Sequence, residues 1–245
     1  MSNTIILIPS RMSAQRLPGK PLLEVNGLPI ICHVVKKAQE TQIGDVIVAT
    51  EDQEILNQVK KHKGDAILTS KNPQTGTDRI WEAFKKLNLK NIDYVINLQG
   101  DEPLINIEDI KKLDHLTKKN NCQINTLATN IEDKKLFDNV NTVKVQTEKK
   151  LEIENFSVAQ NFSRLTDTRS QNIYHHIGFY EFSVSSLESF TNLSQSENEK
   201  KFKLEQLRAM DNNIKVNVTY ASSKVIGIDT EEDYIELKKI MEYKN

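Results

Sequence analysis

Cysteine is almost missing from this chain. Cys32 and Cys122 are the only two in 245 residues, too few for a disulfide framework or a four-cysteine metal site. They read as buried thiols in a reducing compartment, which makes the chain an expected cytoplasmic protein. No apolar run approaches the roughly 20 residues of a membrane span, so no membrane partner is expected. The amino terminus passes from Met1 through Thr4 into apolar residues without a basic region or a small-residue cleavage site. No export signal is expected there. A basic excess is missing as well. The 33 Lys and Arg against 34 Asp and Glu give a net charge of -1, which argues against a nucleic-acid partner. Proline stops early: all six lie at or before Pro103, so proline marks no linker in the second half. Glycine is scarce at eight residues, yet Gly19, Gly76 and Gly100 all fall in polar loops near the ends of predicted strands.

What is present alternates between strand and helix. Residues 4–8 form a continuous apolar run, the pattern of a strand buried on both faces. Further strands are predicted at 45–50, 66–69 and 94–98. Between them, Ile30, Ile31, Val34, Val35 and Ala38 mark one helix face. Residues 53–61, 78–87 and 107–117 form other helices, with Ile80, Trp81, Phe84 and Leu87 as a core face. The alternation predicts an α/β protein with a mostly parallel, doubly wound (Rossmann-like) sheet. Its ligands should collect at the carboxyl ends of the strands. After about residue 125 the regularity fails. Strands at 125–130, 143–146 and 174–183 lack regular helices between them. A helix at 199–210 follows, then a strand at 215–220 and a final helix at 230–241 capped by Thr230 with Asp233. The expected organisation is one domain over 1–245. It divides into a nucleotide-binding half at 1–122, a mixed α+β excursion at 123–185, and a return to the sheet with a terminal helix at 186–245.

Four polar constellations carry the candidate chemistry. The first follows the first strand and holds Arg11, Arg16, Gly19 and Lys20. Guanidinium groups bind phosphate or carboxylate bidentately, and Lys supplies a point charge. The spacing is not that of a Walker A loop. On spacing alone the segment is either a triphosphate cradle or a solvated basic turn. The second, Gln74-Thr75-Gly76-Thr77, opens a helix, where free N–H groups meet an anion or a base edge. An ordinary cap by Thr77 is the alternative. The third, Gln99-Gly100-Asp101-Glu102, ends a strand. Mg2+ takes one or two carboxylates plus phosphate oxygens. Adjacent strand residues face opposite ways, so one carboxylate of the pair enters the site, and Asp101 is chosen. The fourth is Asp229-Thr230, either a second metal ligand or a helix start.

These motifs resemble the 3-deoxy-manno-octulosonate (Kdo) cytidylyltransferase family, from residue 5 to about 240. The most specific piece is Arg16-Leu17-Pro18-Gly19-Lys20-Pro21-Leu22. Thr75-Gly76-Thr77-Asp78-Arg79 and Leu98-Gln99-Gly100-Asp101-Glu102-Pro103-Leu104-Ile105 follow. Phe162-Ser163-Arg164, His176-Ile177-Gly178-Phe179-Tyr180, Leu204-Glu205-Gln206-Leu207-Arg208 and Asp229-Thr230 complete the order. The resemblance implies a nucleotide-diphospho-sugar transferase fold and transfer of CMP from CTP to Kdo with release of pyrophosphate, feeding lipopolysaccharide. It implies that Arg11 and Lys20 hold phosphates, with Gln74, Thr75, Gly76 and Gln99 beside the nucleotide. Arg11, Lys20 and Asp101 are the expected catalytic set. Asp101 and Asp229 would hold Mg2+. Arg16, Gln99, Arg164, His176, Tyr180, Glu205 and Gln206 would line the sugar pocket. The 123–185 excursion resembles the family's dimerisation arm, so a homodimer is expected.

Departures from the family pattern gather on the sugar side. Met12 and Ala14 vary in the first loop. Leu165-Thr166-Asp167-Thr168, His175 and Phe202 vary in the second half, and Phe202 stands where an acidic residue is usual. The nucleotide side is therefore closer to the pattern than the sugar side. The alternatives are CMP activation of 8-amino-Kdo or another 2-keto-3-deoxy acid, and a non-catalytic nucleotide-binding relative.

Overall fold

The computed structural model describes residues 3–13, 17–131, 133–165, 170–222, 227–228 and 230–242. The chain folds as two compact units. One holds residues 3–111 and the segment after 224, the other residues 112–224.

In the first unit, β1 (Thr4–Ser10) is the apolar run seen in the sequence, with Ile5, Ile6, Leu7 and Ile8 fully buried. A loop leads to a single 3-10 turn at Lys20–Leu22. Next comes a small hairpin of β2 (Glu24–Val25) and β3 (Leu28–Pro29). Its turn is Asn26-Gly27, both at positive φ, the pair that matches the twist of a two-residue hairpin. There follow α1 (Ile30–Glu40), β4 (Val46–Thr50), α2 (Gln53–Lys61), β5 (Asp65–Leu68), α3 (Gly76–Leu87) and β6 (Tyr94–Asn97). The strand order is β5-β4-β1-β6, all parallel. The chain winds outward from β1 to β5, then returns past β1 to β6. The order reverses between β1 and β6, and at such a switch point the loops diverge and leave a crevice for a ligand.

Two details differ from the sequence reading. The cap of α3 is Thr75, not Thr77: its hydroxyl accepts the Asp78 N–H at 3.2 Å and donates to Asp78 Oδ2 at 2.8 Å. The buried face of α3 is Thr77, Arg79, Ile80 and Ala83. Trp81 is half-buried and stacks on Phe84 with centroids 5.7 Å apart. Helix α4 (Ile107–Asn120) follows, and the division between the units falls within it.

The second unit contains β7 (Ile124–Thr129), α5 (Lys134–Asp138), β8 (Lys144–Thr147), β9 (Ser157–Ser163) and β10 (Ile173–Ser183). After these come α6 (Val184–Asn192), α7 (Glu197–Phe202), α8 (Leu207–Asp211) and β11 (Asn217–Tyr220). The order β10-β7-β11-β9-β8, with β8 also paired to β10, closes the strand pairings into a circuit. Only β7 with β11 is parallel. The register of β10 on β7 shifts between Ile177 and Tyr180. Gly178 and Phe179 form this bulge, and Thr126 fills it by donating to the Phe179 carbonyl at 2.8 Å. Bulges of this kind re-aim side chains beside functional sites.

The sequence predicted one helix over 199–210. The chain instead makes two short helices, α7 and α8, broken where Lys203 takes φ 53. The break lets two distant charges meet. Glu199 and Arg208 bond at 2.9 and 2.7 Å, whereas nine residues of straight helix would separate them by about 13–14 Å of rise.

Helix α9 (Glu231–Glu242) belongs to the first unit. Thr230 and Asp233 cap it reciprocally, at 2.9 and 3.2 Å, as the sequence predicted. Leu237 joins Val25, Ile30 and Ile228 in one buried cluster. Tyr234 donates to the Glu24 carbonyl at 2.6 Å. This packing brings Ile228, far along the chain, to the loop after β1.

Candidate active site

In the first unit the centre of the constellation is Lys20. Gly19 takes φ 71 before the 3-10 turn, a conformation glycine adopts without steric cost, and this turn buries the Lys20 side chain. Lys20 Nζ donates to Asp101 Oδ2 at 2.5 Å and to the Ile228 carbonyl at 2.6 Å. The Ile228 N–H in turn reaches the Asp101 carbonyl at 3.3 Å. One ammonium thus ties the loop after β1, the loop after β6 and the segment before α9.

Gly100 permits this. A Cβ there would lie 3.0 Å from the Pro9 carbonyl oxygen and 3.0 Å from Ile31 Cδ1. A side chain at 100 would therefore crowd the end of β1, which would have to give by a few tenths of an ångström. Gly76 makes a similar approach at the start of α3, where a Cβ would stand 3.2 Å from Pro9 Cγ. Asn97 Nδ2 donates to Thr77 Oγ1 at 2.9 Å and fastens α3 to the end of β6. Arg79 bonds Glu51 at 2.5 Å and Thr69 at 2.6 Å, fastening the same helix to the ends of β4 and β5.

The other nucleotide-side candidates spread around this centre. Arg11 is exposed. Its neighbour Met12 is anchored by an N–H bond to Asp52 Oδ2 at 2.8 Å, a tether that no sequence signal revealed. Gln74 is exposed and donates to the Asn72 carbonyl at 2.8 Å. Thr75, Gly76 and Gln99 are half-buried. Asp101 is half-buried while Glu102 is buried, so the two adjacent carboxylates occupy different surroundings. Arg16 and Asp229 lie outside the described residues.

In the second unit His176 and Tyr180 flank the β10 bulge, their rings 5.4 Å apart. Phe162 meets His176 edge-on at 5.1 Å. The row continues through Phe182 and Phe190, with centroids 5.9 Å apart at each step. Burial, and then the charge of His175, lower the His176 pKa to about 3. The ring is neutral. Thr126 has one hydroxyl proton and spends it on a β10 carbonyl, so His176 Nε2 donates to Thr126 Oγ1 at 3.0 Å. Nδ1 is then the acceptor nitrogen. The Tyr180 hydroxyl is buried without a hydrogen-bond partner among the described residues. Burial and the Glu205 charge push its pKa well above the usual phenol value. Glu205 and Gln206 occupy the turn between α7 and α8.

Arg164 bonds three backbone carbonyls: Val140 at 3.2 Å, Asn141 at 3.3 Å and Phe202 at 3.4 Å. Its own carbonyl accepts from Lys144 Nζ at 2.7 Å, and Lys144 also reaches the Asn139 carbonyl at 2.7 Å. Lys144 is buried, and burial lowers its pKa. Sequence reasoning missed Lys144, because a lysine in a strand gives no sign that its amine will be enclosed. Phe202 is 46% exposed, beneath the Lys201 ammonium at 5.1 Å. The altered residues 166–168 lie outside the described residues.

A family model described as cytidylyltransferase matches residues 5–218. The chain belongs to the cytidylyltransferase family. A 3-deoxy-manno-octulosonate cytidylyltransferase of Thermodesulfovibrio yellowstonii is 42% identical over 241 residues, covering 94% of each chain. One from Afipia carboxidovorans is 39% identical, covering 98% of this chain and 97% of its own. Among solved structures, CMP:2-keto-3-deoxy-manno-octonic acid synthetase complexed with CTP is similar at TM-score 0.89 and 31% identity over the whole of both chains. UDP-glucose pyrophosphorylase complexed with UDP-glucose, at 15% identity and TM-score 0.72, shares the fold. The family's fold is the one this sheet order displays.

Proposed function

We propose that this cytidylyltransferase activates Kdo with CTP, giving CMP-Kdo and pyrophosphate for lipopolysaccharide assembly. The observation that carries the reading is the Lys20–Asp101 pair at the switch point of the parallel sheet, where this fold binds nucleotides. The near full-length similarity to Kdo cytidylyltransferases supports the sugar.

The anomeric hydroxyl oxygen of the sugar attacks the α-phosphorus of CTP. The new P–O bond forms as the bond to the β-phosphate oxygen breaks, pyrophosphate leaves, and the hydroxyl proton passes to solvent. Such transfers depend on positioning and on charge neutralisation. Lys20 places a fixed positive charge against the phosphates, and Asp101 with the Ile228 carbonyl holds its ammonium in place. Arg11 adds an exposed guanidinium beside the Asp52-tethered backbone. Thr75 and Gly76, with Gln74 and Gln99, flank the nucleotide at the amino end of α3, where N–H groups lack helical acceptors.

The donor set suits Mg2+, since Asp101 offers a hard carboxylate oxygen at the strand end and the sequence supplies a second carboxylate, Asp229, directly after Ile228. Asp101 and Asp229 would hold the ion. When bound, Mg2+ neutralises charge on the phosphates and the leaving group. On the sugar side Arg16 and Arg164 answer the carboxylate. Neutral His176 and un-ionised Tyr180 suit hydroxyls, and Glu205 and Gln206 add hydrogen-bonding groups.

The enzyme is proposed to act in the cytoplasm as a homodimer. No described helix is long and apolar enough to cross a membrane. Exposed Val140, Ile153 and Leu165, at 53%, 60% and 73%, lie in the 123–185 excursion and support its use as a dimerisation arm. Pyrophosphate release from CTP and Mg2+, assayed with Kdo, 8-amino-Kdo and sialic acid separately, tests the reading. Release with 8-amino-Kdo alone would keep the reaction and reassign the sugar.

A further inference from the structure

We propose that the buried Glu199–Arg208 pair is a positioning device that sets sugar affinity by fixing the turn that carries Glu205 and Gln206. The inference rests on the reading that this turn faces the sugar. Glu199 lies on α7 and Arg208 on α8, with the turn between them. Their side chains are 3% and 1% exposed.

The contact is bidentate. Arg208 Nε donates to Glu199 Oε2 at 2.9 Å and Nη2 donates to Oε1 at 2.7 Å. Two parallel bonds fix direction as well as distance. The carboxylate is itself held from behind. Gln195 Nε2 donates to Oε1 at 3.0 Å, and the Ser196 N–H donates to Oε2 at 3.2 Å. The backbone between the partners closes on them: Leu204 N–H reaches the Glu199 carbonyl at 3.3 Å, and Arg208 N–H reaches the Glu205 carbonyl at 3.0 Å.

The guanidinium carbon lies 4.6 Å from the Phe190 ring centroid. Phe190 is the far end of the ring row that leads to Tyr180 and His176. One residue therefore touches both supports of the proposed sugar pocket, the polar turn and the aromatic row. A buried ion pair is a poor source of stability, because desolvation offsets its attraction. Its contribution here is geometric. Arg208 and Glu199 are positioning residues, acting through Glu205, Gln206 and the ring row.

The test is steady-state kinetics of pyrophosphate release for wild type, Glu199→Gln, Arg208→Lys and Glu205→Gln, with thermal midpoints to confirm folding. Glu199→Gln and Arg208→Lys are expected to raise the Kdo KM about tenfold or more, the scale of a misplaced positioning group. The CTP KM should stay within about twofold of wild type, as for a loss confined to one substrate's binding. If Arg208→Lys does not fold, the near-isosteric Glu199→Gln decides alone. Unchanged Kdo KM in the pair variants, with a raised value in Glu205→Gln, would overturn the positioning role. So would an equal loss for both substrates. An unchanged Kdo KM in Glu205→Gln itself would remove the turn from the sugar pocket and contradict the reading beneath the inference.

Discussion

Lys20 and Asp101 stand 81 residues apart in sequence and 2.5 Å apart at Nζ and Oδ2. The same ammonium holds the Ile228 carbonyl, 208 residues away. Lys20→Met keeps the stem and removes the charge, so it both frees Asp101 and strips a cation from the phosphate site. We expect kcat/KM for CTP to fall by about two orders of magnitude, roughly 2.7 kcal/mol of lost stabilisation. Asp101→Asn should lose turnover while the fold survives, and saturating Mg2+ should not restore it. Circular dichroism and initial rates over a Mg2+ series check both.

Gly100 packs its backbone closely against the end of β1. The contact is with the Pro9 carbonyl, a backbone atom that cannot step aside unless β1 moves. Gly100→Ala is expected to destabilise by about 1–3 kcal/mol, the usual scale of an overpacked site. It should also displace Asp101 and lower activity beyond the loss of folded protein. Urea unfolding and specific activity per folded molecule separate the two effects.

Much of this geometry was legible in the sequence, and the reasons differ by region. Residues 4–8 and 94–98 announce their strands as continuous apolar runs and 53–61 its helix by amphipathic period, all on regular crossovers. The three loop glycines stand out because a left-handed turn at Gly19 and tight packing at Gly76 and Gly100 leave few alternatives. The Asn26-Gly27 hairpin has a local signal, a two-residue Asn-Gly turn, beside the stronger helical period that follows it. Residues 199–210 read as one helix because Leu204 and Leu207 keep helical spacing, while the chain turns at left-handed Lys203 and brings Glu199 to Arg208. The bulge at Gly178 and Phe179 is set by Thr126 on another strand, and the Asp52–Met12 tether is equally non-local. No local pattern encodes either.

Glu181 is fully buried in β10, beside the Asp114 carboxylate and the Thr117 hydroxyl. Burial, and then the nearby Asp114 charge, hold its pKa well above the usual carboxylate range. A raised folded-state pKa contributes stability that is complete below the unfolded value near 4.5 and is lost as pH rises toward the folded value. Glu181→Gln supplies a neutral side chain of the same shape. It should raise the melting midpoint at pH 8 by roughly 2–4 °C and flatten the decline between pH 5 and 8. A variant that melts lower than wild type at pH 8 would count against a protonated Glu181.

His176 gives the opposite slope. Its folded pKa, about 3, lies below the unfolded value of 6.5. The unfolded chain therefore binds the proton first as pH falls. Stability is complete above pH 6.5 and declines toward pH 3, by up to about 1.4 kcal/mol per pH unit for one proton. His175 and His33, also lowered by burial, add to the same trend. Urea midpoints at pH 7, 6 and 5 should show a shallower decline in His176→Gln than in wild type.

The central claim is transfer of CMP to Kdo, and the direct measurement is pyrophosphate release from CTP and Mg2+ with Kdo, 8-amino-Kdo and sialic acid in separate reactions. Rapid release with Kdo, and little with sialic acid, is the predicted result. Tight CTP binding without release in any of the three would contradict it.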